Sequence, residues 1–274
     1  MKLTTRKTPA GLTLLEVLII LVVTAVLAAM FLAWMQKGTA KEGRNICVNN
    51  QKQIGTAFRV FCSDNGDLYP LQAKANPYIR QPGETNLEPA TVASTNAQAW
   101  QVFQAMWDEL QSPKVLLCPK DTARAAFNRV IDFNGLAGAP DPMTINSLGH
   151  SDNQNRAVSY TTLALADEAK PLQLLTTDRH INAASSPTAA ATTSPLASGS
   201  RYTVNSDSSA KAMYWVSGPG AGIHGLQGNL TFADGSVQRA TATVLQSSLI
   251  IAGAAYGWGT RTAPGPGASD FLMP

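Results

Sequence analysis

Gly11-Leu12-Thr13-Leu14-Leu15-Glu16, followed by an apolar run from Val17 to Met35 that only Thr24 interrupts, decides how the chain reads. As a helix rising about 1.5 Å per residue, the run extends roughly 28 Å, close to the hydrocarbon thickness of a bilayer. Glu16 stands at its N-terminal edge, where a carboxylate beside lipid costs about 3 kcal/mol. Two readings are open for it: the side chain snorkels to the interface, or it serves a partner.

Charge is distributed unevenly. The chain has 21 Lys and Arg against 18 Asp and Glu, and the excess is Lys2, Arg6 and Lys7, which all precede Gly11. Beyond the leader the chain is formally neutral, so no nucleic-acid partner is expected. The positive-inside rule keeps the leader in the cytoplasm and the remainder outside it. A charged fraction of 14 %, with abundant Ala, Ser, Thr, Gly and Asn, suits a secreted domain. A cleaved signal peptide normally has a shorter apolar core, and a plain anchor leaves Glu16 unexplained.

A basic leader, a glycine, an apolar residue and a glutamate five places beyond the glycine together resemble a type IV prepilin, the N-terminal signal shared by type IV pilins and type II secretion pseudopilins. The resemblance implies cleavage between Gly11 and Leu12 by prepilin peptidase, N-methylation of Leu12, and a retained helix. Leu12 replaces the family's usual phenylalanine. Glu16 would then pair with the N-terminal amine of a neighbouring subunit in the filament core, an attraction strengthened by low dielectric.

The helix is expected to continue past the membrane, with Ile46, Ile54, Ala57, Phe58 and Phe61 near one face and Lys37, Lys41, Arg44, Asn49 and Lys52 in polar positions. Gly38, Gly43 and Gly55 weaken it, and a bend or partial melting is expected over 38–43. Asp64-Asn65-Gly66, with Pro70 close behind, marks its end. Cys47-x-x-Asn50-x-x-Gln53-Ile54-Gly55 and Asp64-Asn65-Gly66-Asp67 resemble a pseudopilin-like group common in planctomycetes and verrucomicrobia. That group carries H-x9-D-G near its C-terminus, here His224 and Asp234-Gly235. Leu117-Cys118-Pro119-Lys120-Asp121, Ser159-Tyr160 and Asp178-Arg179 fit the same layout.

Within the remainder, Ser94 or Thr95 caps a predicted helix to about Leu110 with Trp100, Phe103, Met106, Trp107 and Leu110 as its stripe. Predicted strands are Val115–Cys118, Ala157–Leu163, Leu172–Thr177 and Ala212–Val216. Asn229–Phe232, Asp234-Gly235 and Val237–Arg239 predict a hairpin. Ala183–Ser200 reads as a flexible loop, Val244–Ala255 as a terminal helix, and Pro264–Gly267 as a loose tail. The resulting organisation is a leader (1–11), an assembly helix (12–36), its extracytoplasmic continuation (37–64) and a domain (65–274). The fold class is α+β, and the resemblance implies a pilin-like helix packed on a small antiparallel sheet.

Cys47, Cys62 and Cys118 cannot all pair internally. Cys47 and Cys62 would lie about 22 Å apart along an unbroken helix, beyond disulfide reach. Cys47–Cys118 is favoured, because Cys118 begins a loop able to pack on the helix; Cys62–Cys118 stays open. Neither H-E-x-x-H, G-x-S-x-G nor G-x-x-x-x-G-K-[ST] occurs, so no enzyme is expected. A hairpin could bring His224 to Asp234 as an ion pair, metal half-site or catalytic pair; alternatively Asp234 only makes the turn. No cofactor is expected. Calcium is the one ion raised by resemblance, with Asp141, Asp152 and Asp178 as candidates, yet no dense run of oxygen ligands appears. The expected role is a structural inner-membrane subunit whose partners are other pilin or pseudopilin subunits. The alternative is a membrane-tethered binding module for an envelope component.

Overall fold

The computed structural model describes residues 13–73, 98–133, 145–164, 166–218, 223–258 and 269–274, without the side chains of 32–42 and 269–270. The chain divides into two units, Met1–Glu42 and Gly43–Pro274. In the first, Leu14–Phe31 is helical, entirely exposed, and long and apolar enough to cross a membrane by length and composition. Thr24 is tolerated there because its hydroxyl donates back to the carbonyls of Ile20 (2.9 Å) and Leu21 (3.0 Å), leaving no polar group unsatisfied. These residues open helix α1 (Leu14–Asp64), whose hydrogen bonding continues through Gly38 and Gly43; the melting expected there is absent.

Within the second unit, α1 is one-sided. Cys47, Gln51, Ile54, Phe58, Phe61 and Cys62 are buried at three- and four-residue spacing. Ile46, expected on this face, is 40 % exposed, since the buried stripe runs through Cys47 and Gln51 instead. Phe58 packs edge-on against Tyr69 and Phe103, at centroid distances of 5.4 and 6.4 Å. α1 ends where Asp64-Asn65-Gly66 predicts. Gly66 (φ 69°) and Asp67 (φ 62°) turn left-handed, and the Asp67 N–H donates to the Cys62 carbonyl at 2.9 Å.

The predicted helix to Leu110 is broken in two, α2 (Ala99–Ala105) and α3 (Trp107–Leu110), because Met106 leaves the helical region at φ −101°, ψ 30°. Gln98 caps α2; Ser94 and Thr95 lie outside the described residues. Val115–Cys118 is not a strand. Pro113 fixes φ and the Ser112 hydroxyl accepts from Lys114 N–H, so Pro113–Leu116 forms a 3-10 turn.

Strands β1 (Tyr160–Leu163), β2 (Leu174–Asp178), β3 (Ile181–Ala183), β4 (Arg201–Val204), β5 (Met213–Trp215), β6 (Gln227–Phe232), β7 (Val237–Thr241) and β8 (Ser269–Leu272) follow. They make a six-stranded antiparallel sheet, ordered β4-β8-β1-β2-β6-β7, and a β3-β5 pair. The fold is thus α+β, an N-terminal apolar helix with an antiparallel sheet. Gly235 (φ 81°) makes the predicted β6–β7 turn. The span read as a flexible loop, 183–200, contains the short helix α4 (Pro187–Ala190), capped by Ser186, with Ala190 fully buried. Two 3-10 helices (Thr122–Arg129 and Gln154–Ala157) and two further α-helices, α5 (Asp207–Lys211) and α6 (Ala242–Tyr256), complete the described elements, α6 holding Leu245 and Leu249 in the core. Pro264–Gly267 lies outside the described residues.

Gly228 on β6 lies against the indole of Trp215, where a Cβ would fall 2.1 Å from Nε1. Trp215 is rigid and fully buried, so Gly228→Ala is expected to cost about 1–3 kcal/mol by overpacking. Thermal unfolding followed by circular dichroism checks this; an unchanged midpoint would mean that the indole yields freely.

Candidate functional site

The landmarks scattered along the sequence converge on one buried seam between α1 and the sheet. Cys47, on α1, is disulfide-bonded to Cys118, with Cα atoms 5.1 Å apart across 71 residues of sequence, while Cys62 is free and buried. A loop of that length gives a crosslink about 4 kcal/mol of chain-entropy stabilisation. One turn further along α1, Asn50 Nδ2 donates to the Leu117 carbonyl at 2.9 Å, holding the segment that carries Cys118. Gln51 Nε2 donates to Asp178 Oδ1 (3.1 Å) and its Oε1 accepts from the Thr231 hydroxyl (3.0 Å). A single helix side chain therefore ties β2 to β6. At Gly55 the helix comes so close that a Cβ would lie 3.0 Å from Thr231 Cγ2 and 3.4 Å from Gly235 Cα.

Beneath the seam Asp121 is almost fully buried. Arg179 grips it through two bonds, Nε–Oδ2 and Nη2–Oδ1, both 2.7 Å, and the Ser159 hydroxyl donates to Oδ2 at 2.9 Å. Arg124 approaches the same carboxylate at 3.7 Å and spans to the carbonyls of Asn155 (2.6 Å) and Pro274 (3.0 Å). The Cys-Pro-Lys-Asp, Ser-Tyr and Asp-Arg segments thus meet at one carboxylate, in the bidentate geometry that makes a buried ion pair tolerable.

His224 lies with its Nε2 3.6 Å from Cys118 Sγ and 4.0 Å from Asp178 Oδ2. It does not meet Asp234. The six residues of β6, about 17 Å of strand, separate the two ends at which they sit. Asp234 makes the turn, its Oδ1 accepting from Ser236 N–H at 2.8 Å. Burial pushes His224 down to about 4 and His180 down to about 3, and pushes Asp178 up to about 7. The 4.0 Å contact near neutral pH is therefore between a neutral imidazole and a partly protonated carboxyl, not an ion pair. His180 Nε2 donates to the Gln227 carbonyl at 3.0 Å.

Among the described residues, two groups bring metal-type ligand atoms within 4.8 Å of one another, Cys47–Cys118–His224 and Cys62–Asp67–Glu168. In the first the sulfurs are bonded to each other. In the second, burial and the hydrogen bond to Glu168 push Cys62 up to about 12, so it is a thiol and not the thiolate that binds metal. Of the calcium candidates, Asp152 sits on the surface 3.7 Å from His150, Asp178 is engaged with Gln51 and Asn229, and Asp141 is outside the described residues. A shallow groove of about 320 Å³ runs over Thr56, Arg59, Val60, Ser63, Glu168, Asp234 and Gly235. Its Arg59–Glu168 pair (3.2 Å) is solvent-exposed.

At the other end of the chain, Gly11 and Leu12 lie outside the described residues, and Glu16 closes a capping box with Thr13. The Thr13 N–H and hydroxyl donate to Glu16 Oε2 at 2.8 and 3.0 Å, and the Glu16 N–H donates to the Thr13 hydroxyl at 3.3 Å. Thr13-x-x-Glu16 carries this signature openly in the sequence.

Asp121→Asn would remove the buried charge that Arg179 and Arg124 both address and is expected to cost about 3–5 kcal/mol in chemical denaturation; a loss under about 1 kcal/mol would contradict the seam. The histidines also set a pH response. Between pH 6.5 and 4 the unfolded chain takes protons on His180 and His224 that the folded chain refuses, so stability falls on acidification. Asp178 opposes this, since the folded chain keeps its proton up to about 7, but it is one group against two. His224→Gln should therefore flatten the acid loss of denaturation midpoint by one proton; an unchanged pH slope would contradict the burial assigned to His224. No protein-family model, no curated protein and no solved structure matches this chain.

Proposed function

We propose that the chain is a structural subunit of the type IV pilin and pseudopilin kind. It is made as a prepilin, cut between Gly11 and Leu12, methylated at Leu12, and assembled through its apolar helix into a pseudopilus or pilus-like filament at the inner membrane. It acts mechanically, as a scaffold, and not as an enzyme. The observation that carries this reading is a carboxylate at the mouth of an exposed helical span that is apolar but for Thr24, five residues after Gly11 in Gly11-Leu12-Thr13-Leu14-Leu15-Glu16. Both Thr13 bonds fall on Glu16 Oε2, leaving Oε1 to take the Leu12 amine of a neighbouring subunit. The seam supports the same role, because a subunit pulled by its helix must carry its domain along. Orientation in this reading rests on the prepilin signal around Gly11 and not on a charge asymmetry. Lys37, Lys41 and Arg44 flank the far end, so Lys and Arg alone are balanced across the span.

The capping box favours a second reading. Glu16 then only caps α1, and the chain is a membrane-tethered binding module. Glu16→Gln separates the two, since Gln serves at the third helical position of a capping box but carries no charge. Assembly predicts that Glu16→Gln and Glu16→Ala both abolish filament recovery from sheared cells while the chain still floats with membranes. Filaments recovered from Glu16→Gln at the wild-type yield would exclude the charge role.

A further inference from the structure

We propose that the second unit carries a basic collar, Arg44, Lys120 and Arg239, that binds the headgroups of anionic phospholipids. Three consecutive residues of α1 gather it. At Gly43 the Lys120 side chain crosses the helix, its Cε 2.6 Å from where a Cβ would stand, so the glycine is the gap through which the lysine passes. Arg44 holds Gln227, Nη1 to Oε1 at 2.9 Å, and Arg239 bonds Asn45. Three cations thus share one turn of helix. Among the described residues none of them has a carboxylate within ion-pair distance, and Arg44 Nε is buried without a hydrogen-bond partner. Asp178, the carboxyl that faces Arg44, is fully buried and spends its oxygens on Gln51 and Asn229. Asp121 is held by Arg179. Arg44 and Arg239 repel each other, and all three cations lower the proton affinity of His224; buried Asp178 and Asp121 offset this field in part, but neither reaches ion-pair distance of the three cations.

The occupant follows from chain reach. Arg44 lies nine positions beyond Met35, the end of the apolar run, which is about 14 Å as helix and at most about 32 Å extended. The sequence between adds Lys37 and Lys41 against a single acid, Glu42. A cluster of basic side chains this close to a bilayer edge meets lipid phosphates, and each charge near an anionic surface strengthens binding about fivefold at low salt. The inference rests on the bilayer assignment of Leu14–Phe31, and not on filament assembly.

The test uses the full chain in vesicles of phosphatidylcholine alone or with added phosphatidylglycerol. Flotation reads the anchor, and mass spectrometry reads acetylation of Lys120 by a water-soluble ester, with exposed Lys211 as the control. The expected result is flotation in both vesicles, with Lys120 acetylation slowed about fivefold by phosphatidylglycerol, restored by high salt and weakened in Arg239→Gln, while Lys211 is unchanged. Because Arg239 is on the surface, that variant leaves the core intact; Arg44→Gln adds a second charge removal. Flotation with equal Lys120 rates in the two vesicles overturns the collar alone. Failure to float overturns the bilayer assignment and the collar with it. Equal protection by inorganic phosphate on phosphatidylcholine vesicles assigns the site to free phosphate and overturns the lipid reading.

Discussion

Gln51 sits on the one face of α1 from which water is excluded, and it has to satisfy both ends of its amide there. It does so by reaching Asp178 at the end of β2 and Thr231 on β6. An amide left unpaired in that position would cost about 1–3 kcal/mol, so helix and sheet are held to one register. The neighbouring contacts obey the same constraint. Asn50 fixes the segment bearing Cys118, the disulfide locks it, and Gly55 allows the sheet to approach to contact. One turn further, Phe58 and Phe61 supply the apolar body of the joint.

The sequence was legible where a single segment carries its own physics. The apolar run of α1, the Asp64-Asn65-Gly66 stop, the Asp234-Gly235 hairpin and α6 each follow from local pattern. It was illegible where a local pattern was overridden or too short. Val115-Leu116-Leu117-Cys118 has the composition of a strand, but Pro113 and Ser112 wind it into a 3-10 turn. β4 and β8 pair with each other across 65 residues of sequence and have four residues apiece, too few for alternation to register. The stripe of α1 departs from the apolar pattern at Ile46, because the buried face runs through Cys47 and the polar Gln51, which apolar spacing does not mark.

The site shows the same division. Cys118, Asp121, Ser159, Asp178, Arg179 and His224 were all visible as residues, but their meeting point depends on pairings across 38 to 127 positions that no local spacing reveals. His224 and Asp234 share a motif without sharing a contact. One packs on the disulfide and the other turns the β6–β7 hairpin, so the motif brackets β6 and does not form a catalytic pair. The Thr13-x-x-Glu16 capping box is readable from sequence, and it gives Glu16 a job within a single chain.

The most direct measurement is the intact mass and N-terminal sequence of the protein purified from the membranes of its own host. A filament subunit predicts a chain that begins at Leu12 and is heavier by one methyl group. A chain that still begins at Met1, or one that begins beyond the apolar span, would contradict it.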